Sequence, residues 1–580
     1  MNDIGILETL QSSQPFLNED KTISVVFDGD IFNLKALKEE LSELHAQTAV
    51  DAVMHGYKQW GIETLLDKLD GAFIFSIHDA TNETTYFVRD KFGIKPLYYF
   101  QDETGLHAAS TLKLLSKHDF PETISKEGLN LFLSLSYIPA PYTIYDSVFK
   151  LPAGNYLTVH NGNVALKSYY RLEEHITPSS LTFEQAKEQL RQKLSESVKT
   201  RMDCRVPAGA FLSGGIDSSI IAGLMAQYSD KPVPTFSIGF KEKEYDESDR
   251  AKLVSDTFRT NHTTHYLDYA DVLDVLDDII DFFDEPYGDS SAIPSFYAAK
   301  LASEKVKVVL TGDCADELFG GYDKYLGEYY SKKYLQIPGP VRYLFEKSIC
   351  LIPRTSKTGS LIRKIKKVIA NANYSGFDAG YQYMCMGCSD QVRRQLVTPG
   401  YYADIKSIIE KTYNRFNSSD LLNRTMFSDI NTVLEGDMFP KVERMCRMNA
   451  LESRSPFFNA GMAEFALSLP SGYKINGKEK KYILREAFKD LLPAKIFSYG
   501  KSGFRAPISH WFRKDLKNDL LDLLDKNRIT KQGILNADVV SNLVEQHLKG
   551  GADNGSLLWN LFVFQKWYAK HCKNETQKYL

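Results

Sequence analysis

Leu212-Ser213-Gly214-Gly215-Ile216-Asp217-Ser218-Ser219 lies between the apolar run Val206–Leu212 and the helical pattern of Ser218–Gln227. Two adjacent glycines let backbone N–H groups approach an anion closely, and the helix that follows adds the positive end of its dipole. Ser213, Ser218 and Ser219 offer hydroxyl donors, so the loop reads as a phosphate cradle. Asp217 would repel bare phosphate and is expected there only if Mg²⁺ stands between them. A second segment, Thr311-Gly312-Asp313-Cys314-Ala315-Asp316-Glu317-Leu318-Phe319-Gly320-Gly321-Tyr322, follows the apolar run Val306–Leu310. It sets three carboxylates where open α/β sheets bind ligands. Asp217 and Asp316 could share the metal, leaving Asp313 as a candidate base. Helix capping is the plain alternative for Asp313 or Asp316.

Around this pair the pattern is strand–helix–strand. Phe183–Met202, Glu247–Thr257, Val272–Phe283 and Ile293–Ser303 have helical spacing. Val233–Phe240 reads as a strand and Thr263–Tyr266 as a short extended piece. Alternation of this kind predicts a parallel α/β sheet. Residues 327–580 are largely helical. Residues 1–165 differ. Short β-rich runs at Ile23–Phe27, Gly71–Ile77, Thr85–Arg89 and Leu97–Phe100, with helical spacing at Leu34–Leu44 and Val50–Trp60, predict an α+β layered domain. The division expected is therefore 1–165 and 180–580.

The chain of 580 residues suggests two to four domains at roughly 100–200 residues each. Its 43% hydrophobic and 25% charged residues are ordinary globular usage, against a disordered chain. A net charge of −4 gives no reason to expect nucleic acid. No apolar run reaches the ~18 residues of a membrane span, and the opening MNDIGILETLQSSQPF has no leader pattern. Seven cysteines make no disulfide framework. A cytoplasmic, soluble, multi-domain α/β protein is the expectation.

Three features look like sites and read otherwise. Gly472-Tyr-Lys-Ile-Asn-Gly477-Lys478-Glu479 approaches a Walker loop, but Glu479 replaces the metal-binding hydroxyl and no apolar strand precedes it. It reads as a turn opening a basic helix. Cys385-Met-Gly-Cys388 has no second ligand pair at zinc spacing. The basic run Lys357–Lys367 reads as a solvated face.

Taken together these segments resemble asparagine synthetases of the glutamine-dependent type, and their relatives the β-lactam synthetases and lasso-peptide cyclases. The likeness runs from about residue 14 to 515. The SGGIDSS loop resembles the family's pyrophosphate loop, and GDCADELFGGY its second signature. Phe236-Ser-Ile-Gly-Phe240, Tyr245-Asp246-Glu247, Asp284-Glu285-Pro286, Leu451-Glu-Ser-Arg-Ser-Pro-Phe457, Lys481-Tyr-Ile-Leu-Arg485 and Lys501-Ser-Gly-Phe504 follow in order. The resemblance implies an Ntn-type glutaminase-like first domain, then an N-type ATP pyrophosphatase (PP-loop) domain with a helical C-terminal part.

The first domain matches through Phe27-Asp-Gly-Asp-Ile-Phe-Asn33 and Arg89-Asp-Lys-Phe-Gly-Ile-Lys-Pro-Leu-Tyr-Tyr99, yet departs wherever the family handles glutamine. The family frees a cysteine at residue two; this chain begins Met1-Asn2, and no cysteine precedes Cys204. The family segment HRRLSI aligns with Met1–Ile6. The oxyanion segment NGEIYN reads Asp28-Gly29-Asp30-Ile31-Phe32-Asn33, and an anionic Asp28 would repel a developing oxyanion. The aspartate that grips the glutamine amino group falls at Ala49. Loss of glutaminase activity is expected.

The second half keeps its parts. The resemblance assigns Leu212, Ser213, Gly214, Gly215, Asp217, Ser218, Ser219, Ser237 and Gly312 to ATP, and Asp217 and Asp316 to Mg²⁺. It makes Lys481 the lysine that reaches the polyphosphate, and sets Asp313 where relatives keep a Glu or Tyr. The expected enzyme adenylates a carboxylate and passes it to an amine in specialised metabolism. Its partners would be small-molecule or peptide carboxylates and amines. A primary amide from free ammonia, or from a separate ammonia-supplying protein, is the second reading. A non-catalytic scaffold is the third, and damage to Asp217, Asp316 or Lys481 would have favoured it. No nucleic acid or membrane partner is expected, and a homodimer stays open.

Overall fold

A computed structural model describes residues 14–41, 48–118, 120–204, 206–241, 246–351, 376–499 and 506–572, with Ile365, Val368, Ile369 and Ala372 between. Met1–Ile6, Tyr245, Lys501–Phe504 and most of the basic run lie outside these residues.

Fourteen strands are described. The first nine are β1 (Phe16–Leu17), β2 (Ile23–Ile31), β3 (Gly71–Asp79), β4 (Thr84–Arg89), β5 (Tyr98–Asp102), β6 (Gly105–Ala109), β7 (Phe149–Lys150), β8 (Asn155–His160) and β9 (Asn163–Ser168). They form an antiparallel sheet ordered β1-β2-β3-β4-β8-β9 and a small sheet ordered β6-β5-β7. Alternation along β2 and β3 sends Val25, Phe27, Phe73, Phe75 and Ile77 into a core under the helix Ala49–Lys68. Thr48 starts that helix with a reciprocal capping box to Asp51. Gly61, at φ 75°, breaks it. This accounts for the sequence pattern fading after Trp60.

The second half is built on β10 (Ala208–Phe211), β11 (Pro234–Phe240), β12 (Asn261–Leu267), β13 (Val308–Leu310) and β14 (Glu452–Arg454). All neighbours pair in parallel, in the order β12-β11-β10-β13-β14. With β10 central, the loops after β10 and β13 emerge side by side at the carboxyl end of the sheet. The expected extended piece is a full strand, β12. Beyond residue 327 the described elements are helical, as expected, except for the edge strand β14. Glu-Ser-Arg is polar and three residues long, so it carries no apolar signal. The helix Gly555–His571 drives Leu558, Phe562, Phe564 and Trp567 into the largest core. No described helix is long and apolar enough to cross a membrane.

Candidate active site

The loop after β10 is shaped for close backbone approach. Gly214 has φ +73°, and a Cβ there would fall 2.5 Å from the Ala251 nitrogen. The Ser213 and Ser218 hydroxyls lie 3.0 Å apart, and the Ser213 N–H donates to Ser218 Oγ at 3.2 Å. Gly215 opens the 13-residue helix Ile216–Tyr228 with no side-chain cap, so first-turn N–H groups face the loop mouth. Leu212 is buried beneath it and donates its N–H to the Phe236 carbonyl. Gly312 meets the same helix backbone to backbone: a Cβ there would sit 2.7 Å from the Ser218 nitrogen.

Asp217, Asp316 and Lys481 converge. The Lys481 ammonium donates to Asp316 Oδ1 at 2.6 Å and also pairs with Asp217. Lys481 is only 6% exposed and holds a left-handed φ of 54°. Burial works against its charge, but Asp217 and Asp316 outweigh it and keep its pKa above the ordinary lysine value. Gly321 makes room, since a Cβ there would lie 1.6 Å from Asp316 Oδ1. Two hard carboxylates already sharing one cation, beside a phosphate-shaped loop, fit Mg²⁺, which takes one or two carboxylates and completes its shell with phosphate and water. Among the described residues no group of three or more His, Cys, Asp or Glu gathers for a metal. Cys388 instead donates to the Leu133 carbonyl.

Asp313 is half-buried beyond β13, its carbonyl accepting from the Ser455 hydroxyl at 2.8 Å. The capping alternative is corrected: Cys314, at φ 73°, is the N-cap of the short helix Ala315–Phe319, with no side-chain cap bond. Asp316 lies inside its first turn.

The Asp313 charge reaches a cluster the sequence reading missed. Lys441 donates to Asp289 Oδ2 at 2.8 Å, and Ser291 donates to the same carboxylate through its N–H and hydroxyl. Tyr287 donates to Asp437. Burial opposes the Lys441 charge, yet Asp289, Asp437 and, more weakly, Asp313 hold its pKa up. Burial and the Asp289 charge push Asp437 up to about 7, against Lys441. Burial also acts on Asp289, but Lys441 and Ser291 bring it down to about 2. Asp437 closes a π-helical stretch, Ile430–Met438, that feeds the helix Phe439–Arg447. Such register breaks collect at functional sites. The sequence signal was slight: Asp289 stands three residues past the matched Asp284-Glu285-Pro286.

Ser237 stays apart. Its hydroxyl is held by His262 Nε2 at 3.1 Å and Thr264 Oγ1 at 2.9 Å, between β11 and β12. The Walker-like segment is a short helix, Ser471–Lys474, and a bridged turn, Asn476–Glu479, ahead of Lys481.

In the first domain Asp28 is 6% exposed and its carboxylate meets Arg447 of the second domain at 3.0 Å. Asp30 meets Arg454 at 2.9 Å. Ala49 is the first residue of its helix and half-buried.

The Glutamine amidotransferase domain family matches residues 3–170, and the Asparagine synthase family matches residues 189–569. Asparagine synthetase (glutamine-hydrolyzing) 1 of Bacillus subtilis is 28% identical over 574 residues, 98% of this chain and 88% of that protein. Asparagine synthetase (glutamine-hydrolyzing) 3 of the same organism is 23% identical, over 88% of this chain and 81% of that protein. Amidase chyE of Penicillium rubens is 23% identical, over 93% of this chain and 85% of that protein. With a phosphate-shaped loop, a lysine-bridged carboxylate pair and family matches over both halves, the chain belongs to the asparagine synthase family.

Proposed function

We propose that the chain is an ATP-dependent carbon–nitrogen ligase that adenylates a substrate carboxylate and passes it to an amine other than glutamine. The observation that carries this reading is Lys481 held between Asp217 and Asp316 at the mouth of the Ser213–Ser219 loop. The loop N–H groups and hydroxyls would hold the β- and γ-phosphates. Mg²⁺ on Asp217 and Asp316 would add positive charge to the departing pyrophosphate. Lys481, freed from one carboxylate, would face the phosphates and the carbonyl oxygen. The substrate carboxylate attacks the α-phosphorus, pyrophosphate leaves, and the acyl carbon then takes the amine nitrogen as AMP departs. Asp313 would accept the amine's proton. Leu212, Gly312 and Ser237 line the nucleotide side in this reading.

Glutamine is not the nitrogen source in this proposal. The Asp28 carboxylate is paired with Arg447 and is an acceptor. An oxyanion needs a donor at that place. Ala49 has no group for an amino nitrogen. A second reading, ammonia as donor and a primary amide as product, is favoured by the likeness over 98% of the chain to an asparagine synthetase. The test is carboxylate-dependent exchange of labelled pyrophosphate into ATP, across a panel of acids that includes L-aspartate. Exchange with one acid supports adenylation. Amide formation from that acid with ammonium chloride, or only with a larger amine, separates the two readings.

A further inference from the structure

Asp28 and Asp30 stand two residues apart on β2, so both carboxylates leave the same face. Both cross into the second domain. Asp28 pairs with Arg447 at 3.0 Å and Asp30 with Arg454 at 2.9 Å. A third crossing adds Lys95 to Glu443 at 2.7 Å, and Glu443 also meets Arg447 at 3.5 Å.

The two arginines are not arbitrary surface groups. Arg447 ends the helix Phe439–Arg447, which carries Lys441. Arg454 ends β14, paired in register with Leu310 at the end of β13. Its carbonyl accepts the Thr311 N–H at 2.9 Å. The next residue, Ser455, donates to the Asp313 carbonyl at 2.8 Å. Two short steps therefore lead from Asp30 to Asp313, and one helix leads from Asp28 to Lys441. The two paths end within electrostatic reach of each other, since the Asp313 charge acts on Lys441 and on Cys446 of the same helix. Partly buried pairs of this kind fix geometry more surely than they add stability.

We propose that Asp28 and Asp30 are positioning residues: they clamp Arg447 and Arg454, and so hold the Asp313 loop and Lys441 in place on the amine side of the site. The amidotransferase-like domain then contributes to synthesis through this clamp. The consequence for synthesis rests on the proposed role of Asp313; the mechanical claim does not. The competing account is plain domain adhesion, in which any weakening of the first domain has the same effect.

The test is hydrogen exchange by mass spectrometry on the full chain, with no ligand. Asp30→Asn alone and Asp28→Asn with Asp30→Asn should speed exchange in 311–316 and 441–447 by about tenfold, with 212–219 unchanged. Asp30→Glu keeps the charge and should return 311–316 toward the parent. Val25→Ala, which weakens the first-domain core on the face of β2 opposite the clamp, should leave 311–316 as in the parent. Faster exchange confined to 23–31 would overturn the proposal, as would an equal effect of Val25→Ala or no recovery with Asp30→Glu. With an acid that supports exchange into ATP, the Asp→Asn pair should slow amide formation and spare exchange. Absence of any such acid would count against the ligase reading and leave the clamp decided by hydrogen exchange.

Discussion

Lys481 donates to Asp316 at 2.6 Å from a backbone in the left-handed region, on a segment 165 residues further along the chain. The strain of a non-glycine residue at positive φ costs on the order of 1–3 kcal/mol and persists where the surroundings impose it. Here it aims the ammonium at two carboxylates instead of solvent. Lys481→Met should lower turnover by roughly 10²-fold or more, and Asp316→Ala similarly, if the group stabilises transition-state charge. Steady-state pyrophosphate release measures this. Parent-like rates in both variants would place the charge elsewhere.

Asp313→Asn should fold as the parent does, because Cys314 and not Asp313 holds the N-cap position and Asn keeps the side chain's size and polarity. Exchange between ATP and pyrophosphate should continue, while amide formation slows by about 10²-fold, the scale of general-base assistance. Loss of both activities would assign Asp313 to the nucleotide instead.

Incubation with glutamine should give no glutamate above background, and a glutamine-analogue affinity label should not attach within residues 14–170. The domain is nonetheless built in. Arg89 pairs with Glu435 at 2.8 Å with both side chains at most 5% exposed, and Glu435 also accepts the Ala140 N–H. Arg89→Met should destabilise the chain by about 3–5 kcal/mol, because a buried carboxylate loses its partner. Removing residues 1–165 should give insoluble protein. A soluble, active fragment would refute the structural role.

Asp437 gives a pH signature. Burial and the Asp289 charge push its carboxyl up to about 7, so between about pH 4 and 7 the folded state holds a proton that the unfolded chain has lost. Stability should therefore fall as pH rises through that window, by up to roughly 1.4 kcal/mol per unit. Asp437→Asn should flatten the slope. Denaturant unfolding at pH 5, 6, 7 and 8 reads it, and an unchanged slope in the variant would assign the proton to another group.

The parallel sheet and its loops were legible because β10, β11 and β13 are largely apolar runs that alternate with helical spacing, and the loops after β10 and β13 carry glycines and carboxylates. Lys481 was found by resemblance, and no local pattern marks its left-handed backbone. The edge strand β14 was hidden by its polar sequence, and its pairing depends on β13, more than 140 residues earlier. Lys441 lies on the helix Phe439–Arg447 and Asp289 in the loop ahead of the helix Ala292–Ser303, and nothing local says that they face each other. Asp28 reads from sequence only as a loss, and Asp30 carries no signal of its own. Their partners Arg447 and Arg454 lie over 400 residues away, so the clamp needed coordinates.

The central claim is that the Ser213–Ser219 loop holds pyrophosphate as a leaving group. The most direct measurement is phosphorus NMR of the full chain with MgATP, the carboxylate panel, and ammonium or hydroxylamine as the amine. The account predicts AMP and pyrophosphate in equal amounts, dependent on one carboxylate and lost in Asp217→Ala. ADP and inorganic phosphate as the products would contradict it.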